Sequence, residues 1–563
     1  MTGAGQPLLY RRYRAPREDR SALVEPPFEQ APGLMEANRQ ERAAAECDFR
    51  GKSLAVLSRQ AREELLAEAR RWTARYRSVP QLEAGAGDCL VLAGHQPHLF
   101  HPGVWFKNFA LGHLARAHKG TAINLVIDSD TMKSPAVLVP TGSTQRPALA
   151  AVPLDAPGPI VPYEQRRVLD RSAFRTFSRR AAQALAPLVR DPMVCTFWRL
   201  VEGRLGETDN VGQCLAEARH QWEGLWGLAT LEVPQSRVCS LPAFAWFTAH
   251  LLAELPRFVL IHNAAVAEYR RIHRIRSTAH PVPDLAMEGP WYEAPFWIWT
   301  AENPLRRRLF VQVEPHRLTL SDRRQWQKVL PTPGGDIRPA AEQILELGAQ
   351  GIKLRSRALI TTLWARLVLG DLFIHGIGGA KYDQVTDAII AQFFGVAPPA
   401  IMVISATLQL PIARRRVTAD DLRQAERRLR DLTWHPERAL DWEGLADRPA
   451  AEALVAAKRR WIETPPTPEN ARTRFREIRR INVALQPWLE QKRRALEAQR
   501  AELVEALRAE AILGSREYAF CLYPAETLRD FYEGLLRYGP GTAGRNIPLT
   551  SCVHSRAGIS SER

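Results

Sequence analysis

Three imidazoles spaced by three residues, His95, His98 and His101, stand in the run GHQPHLFHPG at 94–103. Histidine titrates near neutral pH, so it can act as acid or base, or donate to a phosphate or carboxylate. Three together can also ligate zinc, and any of them can instead bond a backbone carbonyl, as buried polar groups do. We take His98 and His101 as catalytic candidates and Gly94, His95 and Gln96 as substrate-binding candidates, and assign no metal. A second candidate is VIDSDTMKS at 126–134, where Asp128 and Asp130 are two residues apart. In extended chain such residues face one side, and two carboxylates there can hold an amine, a ribose or magnesium; either can equally cap the next turn. A third is HGIGGAKYD at 375–383. Its Gly376, Gly378 and Gly379 let backbone N–H groups approach an anion, with Lys381 and His375 supplying donors. Lys107 and Arg357 complete the substrate-binding set. Neither a P-loop, a clean GxGxxG, a GxSxG elbow nor an HExxH helix is present.

Each of these runs follows a short apolar segment. DCLVLAG (88–94), INLVIDSD (123–130), DLFIHG (371–376) and IMVISATL (401–408) read as strands buried on both faces, the pattern of a parallel sheet. Between the first two, Phe106, Phe109, Ala110, Leu114 and Ala117 share a helical face opened by Pro102 and Gly103. Strand, crossover helix, strand is a βαβ unit, and ligands of such sheets bind outside the carboxyl ends of the strands. The expected fold is therefore α/β, a Rossmann-like parallel core with an inserted α+β region and a helical coiled-coil arm. Residues 1–80 form an extended arm and a first helix capped by Ser53. The first half of the core with a helical segment spans 81–240, the insertion 241–345, and the second half of the core 346–412. In the insertion FVLIHN (258–263), PFWIWTAEN (295–303) and RLFVQVE (308–314) read as strands. The arm covers 413–515, its apolar seam running through Ile478, Ile481, Leu485, Leu489, Leu496, Leu503 and Leu507, with a kink at Pro487. Residues 516–563 give an aromatic docking segment and, from Gly539, a disordered tail.

At 563 residues the chain exceeds one compact domain, and its 45% hydrophobic and 25% charged residues exclude wholesale disorder. The seven cysteines are scattered and odd in number, which suits a reducing compartment. The apolar run at 363–379 is interrupted by Arg366 and Asp371, so it does not read as a membrane span. The N-terminal stretch lacks an apolar core of signal-peptide length, leading to an expected cytoplasmic location. Lysine plus arginine outnumber the acids 77 to 61, for a formal charge of +16. That balance calls for an anionic substrate or nucleic acid, yet the excess is spread along helices rather than gathered in one patch.

The loops and their order resemble the BshC family, the cysteine-adding enzymes of bacillithiol biosynthesis. The family loop TGQQ-x-GLF-TGP is answered here by AGHQPHLFHPGVWFKNFALGHL, which retains Gly94, Gln96, Leu99, Phe100, Pro102 or Gly103, and Lys107. Its acid-rich turn is matched by Asp128 and Asp130, and its later Gly-rich segment by SRALITTLWARLVLGDLFIHGIGGAKYDQVTDAIIAQFFG. The resemblance covers most of 88–410. It departs at Ala93 and His95, adds His98 and His101, and places Ala380 and Lys381 where the family has an acid. It implies a core akin to class I nucleotidyltransferases and the joining of cysteine, or another amine or thiol compound, to an anionic acceptor, a ligase-like reaction for which ATP with magnesium is a candidate cofactor. The competing reading is a non-catalytic scaffold whose basic arm contacts nucleic acid or a partner, or pairs two copies through the coiled coil.

Overall fold

The computed structural model describes residues 11–81, 89–414 and 416–538. Five strands form a parallel sheet at the centre: Leu90–His95, Thr121–Val126, Thr230–Pro234, Leu372–His375 and Ile401–Thr407. Counted along the chain their spatial order is 5-4-1-2-3, so the direction of winding reverses between Leu90–His95 and Leu372–His375. A sixth strand, Ser21–Glu25, pairs antiparallel with Ile401–Thr407 and covers that edge.

The unbroken apolar runs have a direct explanation in the two faces of this sheet. Leu90 and Leu92 enter one core with Ile123, Leu125, Leu231, Val233 and Phe373. Val91 and Ala93 enter the other with Ala122, Leu372, Ile374, Met402, Ile404 and Ala406. Alternate residues face opposite sides of a strand, so a strand covered on both sides must be apolar throughout. On the first face lies helix Leu54–Thr73, whose Leu57, Ala61 and Leu65 repeat at three to four residues and whose Ser53 accepts from the Val56 N–H. The second face carries helix Pro102–Ala117, on which the C-terminal helix Ala525–Tyr538 docks. The rings of Tyr532 and Phe109 stack 4.3 Å apart, and the Tyr532 hydroxyl donates to Pro102 O at 2.9 Å. Helix Pro102–Ala117 also lies so close to the sheet that a Cβ at Gly103 would stand 1.9 Å from Ala406 O. Only glycine admits that approach.

Several expectations are corrected. The first 50 residues are not merely an extended arm, since they contain strand Ser21–Glu25 and helix Ala31–Ala44. FVLIHN is the interior of helix Leu255–His273, not a strand: Phe258, Val259, His262, Ala265, Val266 and Tyr269 keep the helical repeat on its buried side. The other two expected strands of that region are present, in an antiparallel sheet of Trp291–Thr300, Arg307–Glu314, Arg317–Ser321 and Gln327–Pro331. Ile352–Ser356, assigned by sequence to the second half of the core, belongs to this sheet and pairs with Trp291–Thr300.

The arm comprises helices Ala419–Trp434, Arg448–Glu463, Ala471–Ala484 and Glu490–Leu513, the last two separated by a 3-10 turn containing Pro487. Contacts Arg414–Glu510, Arg500–Glu426 and Arg493–Thr433 run in opposite chain directions, so the first and last helices are antiparallel neighbours. The seam splits between two small cores. Ile481, Leu485, Leu489 and Leu496 pack with Leu432 and Ala451, whereas Leu503 and Leu507 pack with Val417 and Ala425. The arm, expected as a long antiparallel coiled coil, is thus helical with antiparallel first and last helices, and its apolar seam divides between two small cores. The tail from Gly539 lies outside the described residues. Among those residues no single helix is long and apolar enough to cross a membrane.

Candidate functional site

All three candidate loops leave the carboxyl ends of neighbouring parallel strands, and the reversal of winding places the first and third side by side. That crevice is where open α/β sheets bind ligands, because no crossover covers it and helix N-termini point at it. Lys107 fills its floor. It rises from helix Pro102–Ala117, and its Nζ donates to Gly94 O at 2.9 Å. A Cβ at Gly376 would lie 4.0 Å from the same Nζ, which puts the ammonium between the two strand ends. Lys107 is 3% exposed and has no carboxylate partner among the described residues. Burial, with a smaller push from Arg219, lowers its pKa to about 8. A buried cation without a counter-ion is costly, so such a group marks a place for an anion.

The helix facing it supplies the complementary donors. Ile377–Ile389 begins at Gly376, which offers no side-chain cap, so the first backbone N–H groups have no intrahelical acceptor. Gly378 is open, with no neighbouring atom within 4 Å of a Cβ placed on it. Gly379 is glycine for another reason, because a Cβ there would stand 2.3 Å from the His375 Nδ1. His375 ends its strand, buried, with Nε2 2.9 Å from Asp383 Oδ2. Asp383 also accepts from Arg366 at 2.6 Å and from Thr362 at 2.6 Å. Burial alone would raise the Asp383 pKa, but Arg366 and His375 outweigh it and hold the carboxyl well below its usual range. Lys381, by contrast, is exposed on the helix.

The histidine loop divides into three tasks. His95 Nδ1 donates to Gln96 O at 3.1 Å, and its ring contacts those of His98 and Phe100 at 4.9 and 4.8 Å. Burial, then Lys107 and His98, keep it neutral by lowering its pKa well below the ordinary value. His98 is lowered by burial and partly restored by the negative charge of Asp130. His101 is a helix cap rather than an anion donor: its Nδ1 accepts from Gly103 N at 3.1 Å, while Arg516 and Glu517 stand at its Nε2. Burial and Arg516 push it down to about 3, so it carries no charge for a substrate at neutral pH.

The two aspartates do not act as a pair. Asp130 is the forward one, accepting from Gln96 Nε2 at 3.1 Å and pairing with Arg306 at 3.2 Å. Asp128 turns away and accepts from both the backbone and the hydroxyl of Ser236. It lines a separate cavity of about 20 Å³ with Glu164, Glu217 and Glu232. Burial and Glu164, against the Ser236 hydrogen bonds, raise Asp128 to about 7. Arg357 lies behind Arg306: both guanidiniums face the Trp297 ring, at 4.2 and 4.7 Å, and Arg357 pairs with Glu293.

Sequence reading missed Arg306, Arg366, Asp383 and Arg516. Asp383 lies eight residues past His375 on the helix that opens at Gly376, and Arg366 nine residues before His375; Arg306 and Arg516 reach the site from distant segments. Among the described residues, no three histidine, cysteine, aspartate or glutamate side chains are grouped so that they could hold a metal ion. A scan of family models and a search of curated proteins find no match to this chain.

Proposed function

We propose that the protein is a group-transfer enzyme of the ligase type, with a Rossmann-like core, that joins an amine or thiol compound to an anionic small-molecule acceptor. The observation that carries this reading is the uncompensated ammonium of Lys107 in the crevice beside the uncapped start of helix Ile377–Ile389. A phosphate or carboxylate seated there would meet a positive charge and backbone N–H groups together, in a place from which water is largely excluded. Gly94 and Gly376 set the floor of this subsite, and the Gly378 turn leaves its front open. Asp130, with His98 and Gln96 beside it, is the acid available to a substrate amine.

ATP is a fitting candidate for the anion, since Lys107 and the helix start would hold its phosphates. When bound, such a nucleotide would supply the activation of an acceptor carboxylate. The order of the loops supports kinship with the bacillithiol cysteine-adding family, of which this chain would be a divergent relative. The added histidines argue for a different substrate from the family's own. Arm arginines are interleaved with acids, as in Arg423–Asp420, Arg480–Glu477 and Arg508–Glu505, which favours an enzyme over a nucleic-acid scaffold.

Calorimetric titration of the full chain with inorganic phosphate and with ATP tests the proposal. Saturable binding that weakens at least tenfold in Lys107→Met supports it. Failure of either ligand to bind the wild type at millimolar concentration would sink it.

A further inference from the structure

We infer that His375 is the general base of this site, with its Nδ1 lone pair presented to the substrate and with Asp383 and Arg366 as positioning residues. The inference rests on the proposed group transfer and adds the proton acceptor that reaction needs. The Asp383 carboxylate can only accept when ionised, so the Nε2 that faces it at 2.9 Å must carry the ring proton. The other nitrogen, Nδ1, is then a lone pair. Among the described residues it makes no hydrogen bond, and it lies under the Gly378–Gly379 turn, where a side chain on residue 379 would cover it.

Asp383 cannot readily abandon this arrangement. Arg366 and Thr362 each donate to it, and Arg366 is itself fixed by Asp387 and Pro399 O, both at 2.5 Å. The carboxylate therefore stays charged, fixes one tautomer and stabilises the imidazolium that forms when the base is protonated. Because His375 ends the strand next to Leu90–His95, the base lies at the same carboxyl edge of the sheet as the Lys107 subsite, with its ring on the face of Phe373, 4.6 Å from that ring.

The step balances as follows in atoms and electrons. An N–H or S–H nucleophile gives its proton to His375 Nδ1, and its freed electron pair forms the new bond to an acyl or phosphoryl acceptor that bears a leaving group. The leaving group departs with the pair of the broken bond, and the Nδ1 proton is available to it.

The test is nitrogen NMR on the full chain labelled at histidine, with the His375 signals assigned by their loss in His375→Gln. The neutral ring is expected in the Nε2–H form, and Asp383→Asn is expected to populate the Nδ1–H form, a signature that loss of packing alone would not produce. Separately, diethyl pyrocarbonate should modify His375, as mapped by mass spectrometry, and saturating inorganic phosphate should slow that modification at least tenfold. A wild-type ring in the Nδ1–H form, or a His375 inert to the reagent, overturns the inference, and neither readout requires the Asp383 variant to fold. If calorimetry shows no phosphate binding while the tautomer is as expected, the anion subsite falls and the base stands. If phosphate binds but the tautomer is wrong, the base falls alone.

Discussion

Replacing Lys107 by methionine removes a charge that the folded chain holds at a disadvantage, so it should increase stability while removing function. Lys107 is 3% exposed, and burial, then Arg219, bring it from its ordinary 10.5 to about 8. A depression of that size corresponds to about 3 kcal/mol. The unfolded lysine keeps its proton up to its ordinary value, whereas the folded one gives it up near pH 8. The penalty is therefore full below pH 8, fades as the pH rises to 10.5, and is absent above that. Methionine is close in volume and uncharged, and the hydrogen bond to Gly94 O is the smaller loss. Lys107→Met is thus expected to be about 2–3 kcal/mol more stable than the wild type at pH 7, with the gap closing through the pH 8–10.5 window. Urea unfolding of both proteins at pH 7 and at pH 9.5 measures this directly. A variant less stable than the wild type at pH 7, or a gap that does not narrow at pH 9.5, would show that the ammonium is compensated within the fold and would refute the argument for an anion site. The companion measurement is binding. One charge-assisted hydrogen bond is worth about 1.5–3 kcal/mol, so phosphate affinity should fall roughly 10- to 100-fold in the variant.

In the wild type, phosphate affinity should decline above pH 8 with the loss of one proton, because the bound anion requires the charged lysine; calorimetry across pH 7–9.5 would expose a flat profile if Lys107 were uninvolved. Gly103→Ala would drive a Cβ into Ala406 O and push helix Pro102–Ala117 off the sheet, an overpacking expected to destabilise by about 1–3 kcal/mol or more in urea unfolding; a neutral result would mean the helix can slide freely. Tyr532→Phe removes the hydrogen bond to Pro102 O and should lower unfolding stability by about 1 kcal/mol while leaving phosphate affinity intact, since Tyr532 braces the helix start from behind. Binding of duplex DNA or RNA to the protein should be weak even at 50 mM salt and change little by 200 mM, as arginines paired with neighbouring acids release few counterions; tight binding at 50 mM that falls steeply by 200 mM would favour the scaffold reading instead.

The positions of four of the five parallel strands and the loops that follow them were legible in the sequence because burial on both faces forces a continuous apolar run, and a strand end must be followed by turn residues; Thr230–Pro234 was not read, its short run being broken by the buried Glu232. The Ser53 cap and helix Leu54–Thr73 were legible for a similar local reason, the three-to-four residue repeat. FVLIHN was misread because its four consecutive apolar residues fit either period, and only its continuation to Tyr269 decides for helix.

What the local pattern could not contain is which residues meet. Asp128 and Asp130 look like one pair in extended chain, yet the turn after the strand sends one to Ser236 and the other to Arg306, from segments more than 100 residues away. His101 looks like an anion donor and is a cap, because the backbone N–H of Gly103 takes its lone pair first. Lys107 reads as a substrate-binding lysine, but nothing local shows that it is buried without a counter-ion. Its isolation between Gly94 and Gly376 follows from the 5-4-1-2-3 strand order, a property of pairing across the sheet that no single segment encodes. Sequence by itself thus determined four of the sheet's six strands and the chemistry gathered at the ends of three of them. The tertiary structure decided which of those groups are charged, partnered or free, since desolvation and ion pairing depend on neighbours brought in from the rest of the chain.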